Sequence, residues 1–243
     1  MATTHADRLV ALARRLARDT ARFEPGPPAA FVYRPLEYAW RPHEAYLRRF
    51  GRAPVPALLI GMNPGPFGMA QTGVPFGEVE LVRSWLGIEA PVDRPKAEHP
   101  KRPVLGFACT RSEVSGRRLW GWARERFGSP EAFFSRFFVW NYCPLSFVKD
   151  SGANLTPEQL PADARATLYA ICDAALAGVV ELFRPRQVIG IGGFAEARIR
   201  SSVGEAVEVG RILHPSPASP VANRGWAERA ERELAAIGAL PAR

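Results

Sequence analysis

Residues 57–69 read Ala-Leu-Leu-Ile-Gly-Met-Asn-Pro-Gly-Pro-Phe-Gly-Met, a short apolar run followed by a loop rich in proline and glycine. Its first part is apolar on both faces, which is typical of a strand buried inside a parallel sheet. Asn63 then opens a loop in which prolines fix φ and glycines allow the backbone to approach other groups closely. Such a strand and loop predict a ligand site, because ligands of parallel sheets bind beyond the carboxyl ends of the strands.

Short apolar runs and turn residues continue along the chain. Strands are predicted at residues 57–62, 104–110, 137–143, 187–193 and 210–213, and helices at residues 78–86, 116–127, 157–183, 194–201 and 221–237. Strands that alternate with helices predict an α/β fold. We expect a three-layer sandwich with a central, mostly parallel sheet flanked by helices.

The residues before the first strand are predicted to be helical. Apolar residues near helical spacing indicate a helix over residues 7–23, a Pro-rich link follows at residues 24–28, and another helix is predicted at residues 36–49. We expect a single domain over residues 1–243, with an N-terminal helical segment, residues 1–55, packed on it.

Composition excludes several classes of protein. Hydrophobic residues make up 47% of the chain, which supports a packed core. No apolar run approaches about 18 residues and no secretory signal is evident, so we expect a cytoplasmic protein, associated with the nucleoid if the source is bacterial. Cys109, Cys143 and Cys172 are too far apart for a disulfide framework or an iron–sulfur cluster. The histidines are scattered, so we expect no metal and no cofactor.

The formal net charge of the chain is +8, and arginine supplies most of its basic residues. A surplus of positive charge attracts polyanions such as nucleic acid and speeds encounter with them. A compositional preference for arginine explains the same number without any partner. Charge alone therefore leaves both interpretations open.

Lone polar residues stand at the ends of three predicted strands. Asn63 follows the first strand, Asn141 lies near the end of the strand at residues 137–143, and His214 follows the last strand. A proline follows each of them within three residues. Because parallel strands end at one edge of a sheet, we expect these side chains to converge on one rim.

At these loops the chain resembles the uracil-DNA glycosylase superfamily, and within it the single-strand-selective monofunctional family. Residues 61–78, Gly-Met-Asn-Pro-Gly-Pro-Phe-Gly-Met-Ala-Gln-Thr-Gly-Val-Pro-Phe-Gly-Glu, are similar to the first family motif almost throughout. Asn141 with Cys-Pro-Leu at residues 143–145 resembles the middle motif, and His-Pro-Ser-Pro at residues 214–217 resembles the last. Asn223, Gly225 and Trp226 also fit, so the likeness runs from about residue 37 to the C-terminus.

The resemblance implies an enzyme that flips uracil out of DNA and hydrolyses its glycosidic bond in base excision repair, without lyase activity. It implies that Asn63 positions the attacking water and that His214 donates a hydrogen bond to uracil O2 as charge builds on the departing base. The oxygen of Asn141 would accept from uracil N3–H while its nitrogen donates to O4. Phe76 would stack on the base.

The resemblance also assigns the remaining residues of the site. Gly61 and Met62 belong to the base pocket, and Gly65 and Met69 shape the pocket near uracil C5. Small or flexible groups near C5 leave room for 5-substituted uracils such as 5-hydroxymethyluracil. The DNA-binding set comprises Pro215, Ser216, Pro217, Ala218 and Arg224.

One position departs from the family. Better-known members carry an arginine where this chain has Ala218, and that arginine fills the gap left by the flipped base. A methyl group does not fill the gap, so we expect flipping to limit activity on duplex DNA, with a relative preference for single strands or mismatched U·G over U·A. We expect Arg224 to hold the DNA backbone instead.

Other interpretations stay open. The chain could be a glycosylase for deaminated purines, or a catalytically weak module that binds damaged bases or abasic sites. Gly192 and Gly193 suggest a nucleotide-dependent oxidoreductase, but they lack the Gly-x-Gly-x-x-Gly pattern and do not follow the first strand, so we interpret them as a tight turn. For the glycosylase we expect a monomer whose partner is single- or double-stranded DNA.

Overall fold

The computed structural model describes residues 3–204 and 207–241. The strands are β1 (Phe31–Tyr33), β2 (Ala57–Gly61), β3 (Phe137–Asn141), β4 (Ser146–Val148), β5 (Asn154–Leu155), β6 (Gln187–Ile191) and β7 (Glu208–Ile212). The helices are α1 (His5–Thr20), α2 (Pro35–Tyr38), α3 (Trp40–Phe50), α4 (Met69–Thr72), α5 (Val79–Ser84), α6 (Val114–Phe127), α7 (Pro130–Phe134), α8 (Ala162–Phe183), α9 (Gly193–Val203), α10 (Pro220–Asn223) and α11 (Trp226–Ala236).

The central sheet is parallel and has the strand order β3-β2-β6-β7. In its register Gly61 lies beside Asn141, which brings the ends of β2 and β3 to the same level. The predicted α/β sandwich is therefore confirmed. A separate antiparallel sheet, β1-β4-β5, was not predicted, because strands of two or three residues are too short to show a period.

Helices cover both faces of the central sheet. Gly190 of β6 faces α9, and a Cβ built there would lie 2.4 Å from the backbone nitrogen of Glu196. Gly210 of β7 faces the other way, where a Cβ would lie 2.6 Å from Cδ1 of Ile237, just after α11. The absent side chains thus let a helix sit close on each face. Helix α8 packs on α9 and also reaches the sheet, where Phe183 stacks on Phe138 of β3, and α1 packs on α8 and α3.

The predicted strand at residues 104–110 was wrong. This segment contains a 3-10 turn, Gly106–Ala108. The side-chain oxygen of Gln71 accepts the backbone N–H groups of Leu105 and Gly106, at 2.8 and 3.2 Å, so a side chain replaces a neighbouring strand. Leu105 is 45% exposed, which a strand buried on both faces does not allow. The other four predicted strands are confirmed with small shifts at their ends.

Three predicted helices are shorter or divided. The helix expected at residues 36–49 is split into α2 and α3 at Ala39, whose φ and ψ are −108° and 31°. The one expected from residue 157 begins after Pro161, which is the N-cap of α8. The C-terminal helix is divided into α10 and α11 at Gly225, whose φ of 129° does not fit a helix.

Helix α8 is long and apolar enough to cross a membrane, judged by length and composition alone. The expectation that no apolar run approaches a membrane span is wrong for this segment. Its buried residues recur every three or four positions, as on the inner face of a core helix: Leu168, Cys172, Leu176, Val179, Leu182 and Phe183. The absence of a membrane span in the protein stays a prediction.

Candidate active site

A cavity of about 420 Å³ opens at the carboxyl ends of the central strands. It is where the loops after β2, β3 and β7 meet, as the sequence predicted. The predicted residues that line it are Met62, Asn63, Gly65, Met69, Phe76, Asn141, His214, Ser216 and Pro217. Gly61 lies beneath the ring of Phe76, and Pro215 is buried behind the loop, whereas Ala218 and Arg224 are exposed outside the lining.

Asn63 is held by its amide nitrogen. Nδ2 donates a hydrogen bond of 3.2 Å to the carbonyl oxygen of Leu145, in the loop after β3. Because a carbonyl only accepts, this bond fixes which end of the amide faces the loop. The oxygen Oδ1 has no hydrogen-bond partner in the described part of the chain, so it is free to accept one from a water in the cavity.

Asn141 presents a buried acceptor without a partner. The residue is 5% exposed, and its Nδ2 donates to the sulfur of Met69 at 3.2 Å. Its Oδ1 is buried and has no hydrogen bond within the described residues. A buried acceptor without a hydrogen bond lowers the stability of the fold by roughly 1–3 kcal/mol. A ligand that donates a hydrogen bond to this atom would remove that cost.

Phe76 forms a wall of the cavity through an unusual backbone. Its φ is 53°, in the left-handed region that larger residues rarely adopt. Two glycines allow this placement: a Cβ at Gly61 would lie 2.5 Å from the Phe76 ring, and a Cβ at Gly116 would lie 2.0 Å from its carbonyl oxygen. Strain of this kind is concentrated at functional sites. The ring centroids of Phe76 and His214 are 6.1 Å apart, so one bound base can contact both the aromatic ring and the imidazole.

His214 is a neutral imidazole at pH 7. Burial lowers its pKa to about 4, because the charged form loses its hydration. Gly192, with a φ of 96°, lies against it: a Cβ there would be 3.1 Å from Cβ of His214. The glycine pair after β6 therefore makes a tight turn that leaves room for the histidine.

The uracil DNA glycosylase superfamily model matches residues 49–235, which is most of the chain. The chain belongs to the uracil-DNA glycosylase superfamily. Among curated relatives, a single-strand selective monofunctional uracil DNA glycosylase from Bos taurus is 54% identical over 213 residues, covering 86% of this chain and 78% of the relative. A relative of the same description from Mus musculus is 50% identical over 230 residues, covering 93% of this chain and 82% of its own length.

A solved structure shares the fold of this superfamily member. The crystal structure of wild-type SMUG2 from Pedobacter heparinus superposes with a TM-score of 0.67, covering 94% of this chain and 97% of that chain. The two sequences are 18% identical, so the likeness concerns the fold alone.

In this glycosylase-superfamily site, side chains from other elements hold the loop of His214. Arg118 of α6 donates to the carbonyl oxygens of Pro215 and Ser216, at 3.2 and 3.1 Å, and to Oδ1 of Asn223 at 2.7 Å. Trp226 donates to the carbonyl of Leu213 at 2.6 Å. A loop rich in proline lacks backbone donors, so these external donors fix it in place.

Glu113 adds a carboxylate to the cavity wall, and sequence reasoning missed it. It lines the cavity, and its Oε2 accepts the backbone N–H of Phe67 at 3.3 Å. Burial raises the pKa of the Glu113 carboxyl. A Cβ at Gly65 would lie 2.5 Å from Oε2 of Glu113, so Gly65 faces this carboxylate rather than open space.

Three more lining residues were missed: Ser115, Asn154 and Thr156. Asn154 belongs to β5 of the small sheet and Thr156 follows it, so the sequence offered no sign that they approach the cavity. Across the described residues no group of three His, Cys, Asp or Glu side chains is placed to hold a metal.

Proposed function

We propose that this chain is a monofunctional uracil-DNA glycosylase, which flips uracil out of DNA and hydrolyses its N-glycosidic bond in base excision repair. The observation that carries the proposal is the buried, unpartnered Oδ1 of Asn141 in a cavity that also holds Asn63, Phe76 and His214. An acceptor at Oδ1 suits N3–H of uracil, and Nδ2 beside it suits O4. Cytosine has an acceptor at N3 and a donor at N4, so it leaves both ends of the amide mismatched.

Each residue has a defined task in the reaction. The bond between C1′ of deoxyribose and N1 of uracil breaks, and its electron pair leaves with the base. Neutral His214 donates a hydrogen bond to the developing anion at O2, which stabilises the transition state. Water held by Oδ1 of Asn63 adds to the oxocarbenium-like sugar, and its proton passes to solvent or to the base. The products are uracil and an abasic site.

The cavity supports hydrolysis without a lyase step. A lyase reaction through a Schiff base needs an amine nucleophile, and no lysine is among the residues that line the cavity in the described chain. Borohydride reduction during turnover should trap no covalent enzyme–DNA adduct. A trapped adduct would contradict the monofunctional assignment.

The range of substrates follows from the walls of the cavity. The family resemblance places uracil C5 near Met69 and Gly65, where the Cβ position of Gly65 faces the Glu113 carboxylate. A 5-hydroxymethyl group can donate a hydrogen bond to that carboxylate, whereas the methyl group of thymine would cover it without a partner. The proposal therefore includes 5-hydroxymethyluracil. Hypoxanthine, a deaminated purine, presents the same pattern of N1–H donor and O6 acceptor to Asn141. The space that the cavity leaves for its second ring, between Phe76 and Met69, therefore decides whether it is accepted.

The DNA partner is proposed from the relatives, whose names describe single-strand selective enzymes. Ala218 is exposed at the tip of the His214 loop and carries no long side chain to fill a gap in a duplex. This agrees with a preference for single strands. We further propose that the protein acts as a monomer in the cytoplasm.

One experiment tests the function as a whole. Oligonucleotides that each carry one uracil, 5-hydroxymethyluracil, hypoxanthine, thymine or cytosine are incubated with the protein in EDTA and then cleaved with alkali. Uracil and 5-hydroxymethyluracil strands should be cut, and thymine and cytosine strands should stay intact. Cleavage of hypoxanthine strands alone would favour the purine alternative, and cleavage that requires a divalent ion would refute metal-independent hydrolysis.

A further inference from the structure

Two arginines stack on one phenylalanine beside the mouth of the cavity. The guanidinium of Arg111 lies 3.9 Å from the ring centroid of Phe67, and that of Arg102 lies 5.2 Å from the same centroid. We call these three residues the Phe67 ridge. None of them was singled out in the sequence.

The ridge is fixed to the site. Phe67 follows Pro66, which lines the cavity, and its backbone N–H is bound by Glu113, which also lines it. Arg111 is two residues before Glu113, so its Cα lies within about 7 Å of that residue. The ridge therefore borders the cavity where Pro66 and Glu113 line it.

The guanidinium groups are placed to bind an anion. A guanidinium within about 6 Å of a ring centroid is attracted to the ring by a cation–π interaction, which uses none of its N–H groups as hydrogen-bond donors. These N–H groups form the fork that fits a phosphate. Arg111 is exposed, and no ion pair involves it among the residues described. Arg102 uses its Nε to bind the carbonyl of Gly152 at 2.9 Å, which leaves both terminal nitrogens available.

The loop after β7, which also lines the cavity, has cations beside it as well. Arg118 holds the His214 loop, and Arg224 is exposed just after α10. A DNA strand that places one nucleotide in the cavity has to pass both the Phe67 ridge and the His214 loop. The phosphates of that strand then lie near the arginines of the ridge and near Arg118 and Arg224. A neutral or cationic partner would gain nothing from these charges.

We propose that the Phe67 ridge binds phosphates of the DNA strand next to the flipped nucleotide. The ridge holds the strand by its backbone, without reading its sequence. Because Ala218 at the loop tip cannot reach a phosphate, the ridge supplies part of the affinity for DNA. This inference rests on the proposed glycosylase function, and it adds a binding site to it.

The test measures how DNA binding depends on salt. The probe is a fluorescent single-stranded oligothymidylate, which contains no uracil and is not turned over. The proteins are the wild type, Arg111→Gln, Arg102→Gln and, as a matched control, Arg184→Gln, which removes an exposed arginine just before β6 at the opposite end of the sheet.

Each lost phosphate contact should reduce the slope of log Kd against log salt by about 0.7. Between about 50 and 200 mM salt, the increase in Kd should then be smaller by about 2.6-fold for Arg111→Gln than for the wild type, because four raised to the power 0.7 is about 2.6. Arg102→Gln should show a reduction of the same kind, and Arg184→Gln should keep the wild-type slope.

Wild-type slopes in both ridge variants would overturn the inference, and so would failure of the wild type to bind the probe. Release of uracil is measured separately on a uracil-containing strand. A reduced slope without uracil release would support the ridge and refute the glycosylase. Uracil release with unchanged slopes would support the glycosylase function and refute phosphate binding by the ridge.

Discussion

Asn141 and Met69 contact each other at the cavity wall, with Nδ2 of the asparagine 3.2 Å from the sulfur of the methionine. This contact fixes the orientation of the amide, because a thioether sulfur accepts and does not donate. The oxygen of Asn141 is thereby directed away from Met69 and remains without a partner. Base selectivity in the proposed enzyme depends on this arrangement.

Replacement of Asn141 should remove base recognition while the fold remains. We expect Asn141→Ala to lower kcat/KM for a single-stranded uracil substrate by roughly 100-fold or more, since both hydrogen bonds to the base edge are lost. The measurement is the rate of alkali-labile site formation at low substrate concentration. Asn154→Ala is the matched control, since it removes an exposed amide at the same cavity. Equal losses in both variants would contradict the assignment.

The titration of His214 distinguishes a neutral from a charged donor. With a pKa of about 4, the imidazole should stay neutral at pH 6, and its ring nitrogen shifts in NMR should change only well below that pH. A midpoint near the ordinary value of about 6.5 would contradict the buried, neutral donor.

The same pKa predicts a dependence of stability on pH. The unfolded chain binds the His214 proton near its ordinary pKa of about 6.5, whereas the folded chain binds it only near 4. As the pH falls, the unfolded state gains the proton first, so this histidine makes the protein less stable between about pH 6.5 and 4. Buried His43, whose pKa is also lowered to about 4, adds to the effect. Urea unfolding of wild type and His214→Gln at pH 7 and 5 should show a smaller loss in the variant. An equal loss would contradict the shift.

Gly65 and Glu113 should be coupled. Gly65→Ala places a Cβ 2.5 Å from Oε2 of Glu113, so one of the two groups has to move. In Gly65→Ala/Glu113→Ala the obstructing carboxylate is gone, and the combined loss of unfolding free energy should be smaller than the sum of the single losses by about 0.5–3 kcal/mol. Urea unfolding of the four proteins measures this. Additive losses would show that the two residues do not compete for space.

The sequence predicted the parts of the site that depend on strand order. Asn141 is the last residue of β3, and Asn63 and His214 each come two residues after a strand of the parallel sheet. Parallel strands bring such positions to one edge. Glu113 and Arg118 could not be predicted in this way. Glu113 is the N-cap of α6 and Arg118 lies in its first turns, and only the packing of that helix decides which loops these side chains reach.

The small sheet and the segment at residues 104–110 show the same limit. The strands β1, β4 and β5 are shorter than any periodic pattern. Residues 104–110 have the composition of a strand, but Gln71 binds their backbone and no strand in the described part of the chain pairs with them. A tertiary hydrogen bond from a distant residue leaves no local signal in the sequence.

Ala218 should limit flipping from duplex DNA. Its methyl group is exposed at the loop tip, and its backbone N–H is bound to Oγ of Ser216 at 3.1 Å, so the residue is held in place but fills little space. Ala218→Arg should raise the single-turnover rate on a U·A duplex relative to a single strand, because a guanidinium fills the gap and reaches a phosphate. The comparison includes a U·G duplex at the same salt concentration. An unchanged ratio of duplex to single-strand rate would refute this role.

The most direct test of the central claim is release of free uracil under single-turnover conditions. Excess protein is mixed with a single-stranded uracil oligonucleotide in EDTA, and the released base is quantified for wild type, Asn63→Ala and His214→Ala. We predict that the wild type releases uracil and that His214→Ala is slower by roughly 10²–10³-fold, with circular dichroism unchanged. Asn63→Ala should also be slower. No release by the folded wild type, or wild-type rates in both variants, would contradict the account.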